Sequence, residues 1–93
     1  MDKRNKRTTK RVVIEHEHEV NAVAIDGTWS VAGRLKDVSE GGAKLFVFDN
    51  INERMRNEEF FLTLTADGKV SRRAKLLWEL KQWIGVRFVV QRH

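Results

Sequence analysis

Residues 69–90 read KVSRRAKLLWELKQWIGVRFVV, and apolar side chains recur in both halves of this stretch at every second position. In residues 69–79 the side chains on one face are Arg72, Ala74, Leu76 and Trp78. In residues 83–90 the corresponding face carries Ile84, Val86, Phe88 and Val90. A period of two is typical of β-strands that turn one apolar side towards a core. The stretch therefore predicts two half-buried strands.

The same period recurs upstream of this pair. It predicts strands at residues 12–25, 29–38, 43–48 and 59–66, with a polar loop at 49–58 that has room for one helical turn. The dipeptides Asp26-Gly27 and Asp67-Gly68 favour tight hairpin turns, because both residue types tolerate positive φ, and Gly41-Gly42 marks another bend. Six short strands joined mainly by hairpins predict an all-β fold, a six-stranded antiparallel β-barrel that is closed or split.

The formal net charge of +5 is concentrated at the N-terminus. Residues 1–11 contain six bases and one acid, which sum to +5, while residues 12–93 contain twelve bases and twelve acids, which sum to zero. We therefore predict a flexible basic arm at residues 1–11 on a neutral barrel at residues 12–93. Such an arm is typical of proteins that meet an anionic partner, and equally of a solvated tail that aids solubility. Charge alone leaves both interpretations open.

The composition excludes several classes of site. The 93 residues suffice for one domain with a modest core, and without cysteine the chain can form neither disulfides nor thiolate zinc sites. It contains no apolar run near the roughly 20 residues that a membrane-spanning helix needs. Its charged N-terminus lacks the apolar stretch of a signal peptide. We therefore expect no membrane insertion and a cytoplasmic location.

Two short patterns carry side chains that suit an anionic ligand. Arg7 and Arg11 are four residues apart, so they point the same way in a strand or a helical turn, and each guanidinium can pair with a phosphate or a guanine edge. Asp37, Ser39 and Gly42 form the pattern D-x-S-x-x-G between two predicted strands. A carboxylate can accept from the N–H groups of guanine, a serine hydroxyl can donate to phosphate, and glycine lets the chain turn and a ligand approach closely. Taken singly, chance or an ordinary hairpin turn also explains each pattern.

In combination, the two patterns and the C-terminal strands resemble the PilZ domain family. Its hallmarks are R-x-x-x-R and (D/N)-x-S-x-x-G, and its members commonly carry a strand tryptophan followed by residues like Gly85-Val-Arg-Phe88. The resemblance extends from Lys6 to Val90. It implies a six-stranded β-barrel that binds the bacterial second messenger cyclic di-GMP and acts as a receptor or adaptor, not as an enzyme and without a cofactor.

The resemblance also assigns roles to the residues of the two patterns. Arg7 and Arg11 would grip the guanine edges and phosphates of the ligand. Asp37 and Ser39 would hold a guanine and the adjoining phosphate region, and Gly42 would shape the loop. The arm would fold onto the barrel when ligand binds, and the new surface would signal to a downstream effector protein.

Two further positions are implied as secondary contacts. Many relatives have another arginine just before the first motif arginine, where this chain has Lys6, which keeps the charge and loses the planar fork. That difference leaves open whether one or two ligands bind. Some relatives place the late-strand tryptophan against the ligand, so Trp78 either stacks there or packs in the core. The core is favoured, because an inward tryptophan usually packs.

Other functions have less support in the sequence. His16 and His18 share a strand face as two metal ligands would, but no third ligand is evident, so we predict no metal site. No nucleophile elbow or phosphate-binding glycine loop is present, so we predict no catalytic residues. A barrel that binds single-stranded nucleic acid is the main alternative, with Trp29 and Trp83 as its exposed aromatics, although the neutral body argues against it. A PilZ-like module that binds only proteins is a third interpretation.

Overall fold

The strands follow the predicted order along the chain. A computed structural model describes residues 18–65 and 67–90, together with the backbone of residues 11–13. Its elements are β1 (Arg11–Val13), β2 (Glu19–Ala24), β3 (Ser30–Ser39), β4 (Gly42–Val47), α1 (Glu53–Asn57), β5 (Phe60–Thr63), β6 (Ser71–Leu80) and β7 (Trp83–Phe88). The strands from β3 onward begin and end within three residues of the predicted positions.

Six of the strands close into an antiparallel barrel. The hydrogen-bonded order around the ring is β3-β2-β5-β6-β7-β4, and β4 returns to β3 along the edge opposite β2. Every pairing in this ring is antiparallel. The prediction of an all-β, six-stranded antiparallel barrel is therefore confirmed. Closure pairs both edges of each strand over at least part of its length, which protects the edges from association with other chains.

β1 is a short additional strand on the same edge of β3 as β2. It pairs with the C-terminal end of β3, while β2 pairs with the N-terminal half. Between Val13 and Glu19 the chain advances six residues, whereas their partners Asp37 and Arg34 are three residues apart. The two ladders therefore have different registers, and the prediction of one continuous strand at residues 12–25 is wrong.

Inward side chains from all six barrel strands form one apolar core. The largest of those that are almost completely buried are Phe60, Leu35, Leu45, Met55, Leu62 and Ile84. No polar or charged residue is buried in residues 18–65 and 67–90. Removing each such large side chain from water contributes about 2 kcal/mol, so the alternation in the sequence supplies the free energy that closes the barrel.

Aspartate and glycine form the two hairpin turns that the sequence predicts. Gly27, between β2 and β3, and Gly68, between β5 and β6, have φ angles of 76° and 75°, a region in which a side chain is strained. In the first turn the Asp26 carboxylate accepts hydrogen bonds from the backbone N–H and the hydroxyl of Thr28, at 3.1 and 2.6 Å. In the second turn Asp67 accepts from the hydroxyl of Thr65 and from the backbone N–H of Lys69. The turn chemistry therefore fixes where both hairpins reverse.

The polar 49–58 segment contains a helix of just over one turn that packs against the core. The side chain of Asn52 caps it by accepting from the backbone N–H of Met55 at 2.7 Å, and Met55 itself is fully buried. Arg54 donates to Asp26 of the first hairpin turn at 3.0 Å. Arg56 pairs with a glutamate of β6 at 2.7 Å. The helix is thus tied to two hairpins of the barrel.

The hydrogen bonds at Asp26 lower its pKa from 3.8 to about 2, first through the Thr28 hydroxyl, then through the Thr28 backbone and Arg54. Since the folded-state pKa is depressed, the contribution of the carboxylate to stability is present above about pH 4 and is lost as the pH falls through about 2. We expect Thr28→Val to raise the pKa of Asp26 more than Arg54→Ala does. A carboxyl titration by NMR measures both shifts, and an unchanged pKa in Thr28→Val would contradict the assignment.

Candidate ligand-binding site

The two sequence patterns meet where β1 runs beside β3. In that ladder the backbone of Arg11 is opposite Ser39, and Val13 is opposite Asp37. The second arginine of R-x-x-x-R therefore begins the strand that pairs directly with D-x-S. Sequence spacing alone could not show this, because the two patterns are about 25 residues apart in a chain whose register was unknown.

The D-x-S-x-x-G pattern forms the hairpin between β3 and β4. Asp37 and Ser39 are two residues apart on β3, so they lie on the same face, and both are half-buried. The Ser39 hydroxyl donates across the turn to the carbonyl oxygen of Gly42, at 3.4 Å. A hydroxyl in so long a hydrogen bond can rotate to a stronger acceptor such as a phosphate oxygen.

Gly42 is required by the packing of the barrel. Neither Gly41 nor Gly42 has a positive φ, so the bend does not depend on left-handed backbone at either position. A Cβ at position 42 would overlap the Val86 carbonyl oxygen of β7, whereas one at position 41 would meet nothing within 4 Å. The physical reason for glycine at position 42 therefore differs from the one expected from the sequence, since the backbone of β7 fills the space.

Trp78 lies outside the core because of a β-bulge in β6. The β6–β7 ladder pairs Leu76 with Val86 and Trp78 with Gly85, so Leu77 is the extra residue of the bulged strand. Val86 faces the core and Gly85 faces outward. The bulge therefore moves Trp78 from the inner to the outer face, where its side chain is 43% exposed and its indole lies against Gly85. The prediction that Trp78 packs in the core is wrong.

Trp78 and the β3–β4 hairpin are two walls of one cleft on the outer face of the barrel. Its volume is about 300 Å³, and its lining includes Ser39, Gly42, Lys44, Leu77, Trp78 and Arg87. The strand registers explain why these residues meet: a single cross-strand row contains Asp37 of β3, Lys44 of β4, Gly85 of β7 and Trp78 of β6. The cleft thus has polar, cationic and aromatic side chains around one opening.

Sequence reasoning assigned no site role to several lining residues of this cleft, among them Lys44, Leu77 and Arg87. Lys44 and Arg87 occupy the polar positions of alternating strands, which indicates that they point away from the core, and the family-like pattern Gly85-Val-Arg-Phe88 contains Arg87 without giving it a role. Leu77 is exposed because it is the bulged residue, and no local pattern marks a bulge. The registers of β4, β6 and β7 bring the three together, and those registers depend on pairing across the whole barrel.

The nucleic-acid interpretation requires Trp29 and Trp83 to be exposed on the surface, and the structure does not expose them fully. Trp29 is half-buried and packs edge to face on Phe60, with ring centroids 5.9 Å apart. Trp83 is also half-buried and packs on Phe46 at 5.0 Å. The expectation that Trp29 and Trp83 are exposed is therefore wrong, because each ring packs against a phenylalanine ring.

Several other predicted positions can be placed or set aside. Lys6, Arg7 and His16 lie outside the described residues, as does the rest of the arm at residues 1–10. The Nε2 of His18 donates to the carbonyl oxygen of Leu64 at 2.9 Å, which fixes that ring in a structural role. No group of three metal-ligating side chains occurs within the described ranges, and the absence of a metal site stays a prediction. No helix in those ranges has the length and apolarity to cross a membrane.

Comparison with known proteins agrees with the fold and the motifs. A family model described as the PilZ domain matches residues 4–92, almost the full length of the chain. The chain belongs to the PilZ domain family. This PilZ domain is similar to the crystal structure of the PilZ domain of CeSA from a cellulose-synthesizing bacterium, with a TM-score of 0.68 and 18% sequence identity. The match covers 89% of this chain and 83% of that chain, and at this identity it supports the fold alone. No curated protein sequence matches.

Family membership has a direct functional implication. A PilZ domain is implied to be a cyclic di-GMP-binding module, and members of the family generally act by binding and not by catalysis. The outer-face cleft is the part of the described structure that combines residues of the second family motif with further cationic and aromatic side chains.

Proposed function

We propose that this PilZ domain is a cyclic di-GMP receptor that passes the level of the messenger to a downstream protein. The observation that supports the proposal most directly is the β1–β3 ladder, in which the backbone of Arg11 is opposite Ser39. This pairing brings the start of β1 to the hairpin that forms one wall of the cleft. A ligand in the cleft would therefore be within reach of both family motifs.

Each motif residue has a role that its chemistry supports. Arg7 and Arg11 pair with the guanine edges and phosphates, because a guanidinium forms two parallel hydrogen bonds with either group. Asp37 accepts from the N1–H and N2–H of one guanine, and the Ser39 hydroxyl donates to the adjoining phosphate. Lys6 adds positive charge without a planar fork. These assignments are proposals, and the affinity measurements below test them.

Trp78 is proposed to stack on a base of the ligand. Trp78 is 43% exposed at the wall of the cleft, on the side away from the β3–β4 hairpin. Stacking of a base on an aromatic side chain is worth about 1–3 kcal/mol. The bulge at Leu77 is what makes this contact possible, because a regular β6 would direct Trp78 into the core.

The proposed output is a change in the surface near β1. Residues before β1 would close over the ligand, at an ordering cost of about 1–2 kcal/mol per residue. Charge-assisted hydrogen bonds from two arginines and to one aspartate, about 1.5–3 kcal/mol each, would offset that cost. The closed arm would then form a surface that a downstream protein recognises. No cofactor is needed for this mechanism.

Titration with cyclic di-GMP beside single-stranded DNA of equal total charge tests the proposal. The receptor function requires a clear preference for the dinucleotide at the same ionic strength. Affinity for both ligands that falls steeply with salt, without preference, would support the nucleic-acid alternative instead. Absence of binding to either one would support the protein-interaction module.

The role of Asp37 predicts a change in selectivity. Asp37→Ala should weaken cyclic di-GMP binding by about tenfold, because the carboxylate recognises N–H groups that guanine has and adenine lacks, and a lost hydrogen bond to a charged group costs about 1.5–3 kcal/mol. Binding of cyclic di-AMP should change much less. Calorimetric titration of both dinucleotides measures the ratio, with Asp49→Ala, which removes an exposed carboxylate from the loop after β4, as the matched control. Equal losses for the two dinucleotides would rule out guanine recognition by Asp37.

A further inference from the structure

Two cations of the cleft, Lys44 and Arg87, lie outside R-x-x-x-R and D-x-S-x-x-G. Lys44 on β4 is opposite Gly85 of β7, and Arg87 on β7 is opposite Gly42 of β4. The two cations are therefore diagonal neighbours on the outer face, with Cβ atoms about 7–8 Å apart. Gly42 and Arg87 both line the cleft. The ammonium group of Lys44 lies 5.4 Å from the centroid of the Trp83 ring, in the direction opposite to Arg87, so Lys44 must turn from that ring to share an anion with Arg87.

Arg87 has a surplus of positive charge around it. It is exposed, and it makes no ion pair with any residue in the described part of the chain. Its direct partner in β6 is Lys75, and like charges directly opposite in a ladder repel each other. The acid in the neighbouring row is Asp37, which is opposite Lys44 and not opposite Arg87. An anion bound at Arg87 would offset the repulsion between Arg87 and Lys75.

Five carboxylates of the described part of the barrel are paired away from the cleft. Arg54, Arg56 and Arg73 bind the acids near α1 and β5, which are Asp26, Glu53, Glu58, Glu59 and Glu79. The near-zero net charge of the barrel therefore conceals a separation, with paired arginines around α1 and an exposed arginine, Arg87, at the cleft. Such a separation raises the local concentration of anions at the cleft.

We propose that Arg87, with Lys44, binds a phosphate of the cyclic dinucleotide on the β4–β7 side of the cleft. This inference rests on the proposed function and adds a second anion contact to it. A cyclic dinucleotide has two phosphates on opposite sides of its ring. The motif residues on β1 and β3 would contact the ligand from one side of the cleft, and Arg87 and Lys44 would contact it from the other. The site would thus hold the ligand between two cationic walls, with Trp78 beside the second wall.

Calorimetric titration of full-length variants with cyclic di-GMP tests this inference. Arg87→Gln should weaken binding at least about fivefold, since it removes a charge-assisted hydrogen bond, and Lys44→Gln should weaken it by a smaller factor because the Lys44 ammonium lies over the Trp83 ring. The matched control is Lys69→Gln, which removes one positive charge at the exposed β5–β6 turn and should stay within about twofold of the wild type. Repeating the titrations at about 50 and about 200 mM salt should show a shallower salt dependence for Arg87→Gln than for Lys69→Gln.

The possible outcomes separate this inference from the function on which it rests. If the wild type binds cyclic di-GMP and Arg87→Gln matches the Lys69→Gln control, the phosphate contact is overturned while the receptor function stands. If Arg87→Gln and Lys69→Gln both lose affinity, and by equal factors, general electrostatic attraction explains the loss. The specific contact of Arg87 is overturned in that case too. If the wild type does not bind cyclic di-GMP, the receptor function fails and this contact fails with it.

Discussion

Arg11→Ala weakens cyclic di-GMP binding at least about tenfold and leaves the fold intact, as does Arg7→Ala. One charge-assisted hydrogen bond is worth about 1.5–3 kcal/mol and a bidentate pair more, so the loss of one guanidinium exceeds the roughly 1.4 kcal/mol that corresponds to a factor of ten. The fold survives because Arg11 contributes to β1 through its backbone, which alanine retains. Calorimetric titration gives the affinity, and unfolding in urea gives the stability.

Lys69→Ala is the control for this pair of variants, because it removes one exposed cation at the far hairpin turn. Its affinity should remain close to that of the wild type. Hydrogen exchange supplies a second readout, since ligand should protect the amides of residues 5–12 in the wild type and protect them less in Arg11→Ala. If Arg7→Ala and Arg11→Ala both keep the wild-type affinity, the N-terminal motif does not contact the ligand. This conclusion would not depend on which other residues of the cleft bind.

The barrel itself follows from patterns that are local in the sequence. Alternation of apolar residues at 43–48 and 83–90 places Leu45 and Ile84 inside, and the structure buries both. Aspartate and glycine at positions 26 and 27 predict a hairpin turn, and Gly27 has the positive φ that such a turn requires. These features depend on a few neighbouring residues, so a single sequence is enough to predict them.

The composition of the cleft depends instead on register, which is a property of the whole sheet. A bulge of one residue at Leu77 moves Trp78 from the core to the surface, and nothing in the run of apolar residues there marks where the extra residue falls. The same register places Lys44 between Asp37 and Gly85. The family motifs therefore predict the hairpin side of the cleft and leave two positions open for Trp78, while the rest of the β6–β7 side depends on the register.

Gly42→Ala is expected to destabilise the barrel by about 2 kcal/mol or more. A Cβ at this position would overlap the Val86 carbonyl oxygen, and both atoms belong to backbone that is held in the β4–β7 ladder, so neither can move without disturbing that ladder. Gly41→Ala is the matched control, one residue away in the same hairpin. Its Cβ would meet nothing within 4 Å, and its effect should stay within about 0.5 kcal/mol.

Urea unfolding followed by tryptophan fluorescence compares the two variants directly. Equal stability of Gly42→Ala and Gly41→Ala would show that the β4–β7 contact can relax, contrary to its position in the ladder. Gly85→Ala should be intermediate, because its new Cβ would displace the exposed indole of Trp78 instead of backbone. The comparison also decides how the last position of D-x-S-x-x-G acts. If the fraction of Gly42→Ala that binds ligand equals the fraction that is folded, the glycine supports the fold that holds Asp37 and Ser39. It then needs no contact of its own with the ligand.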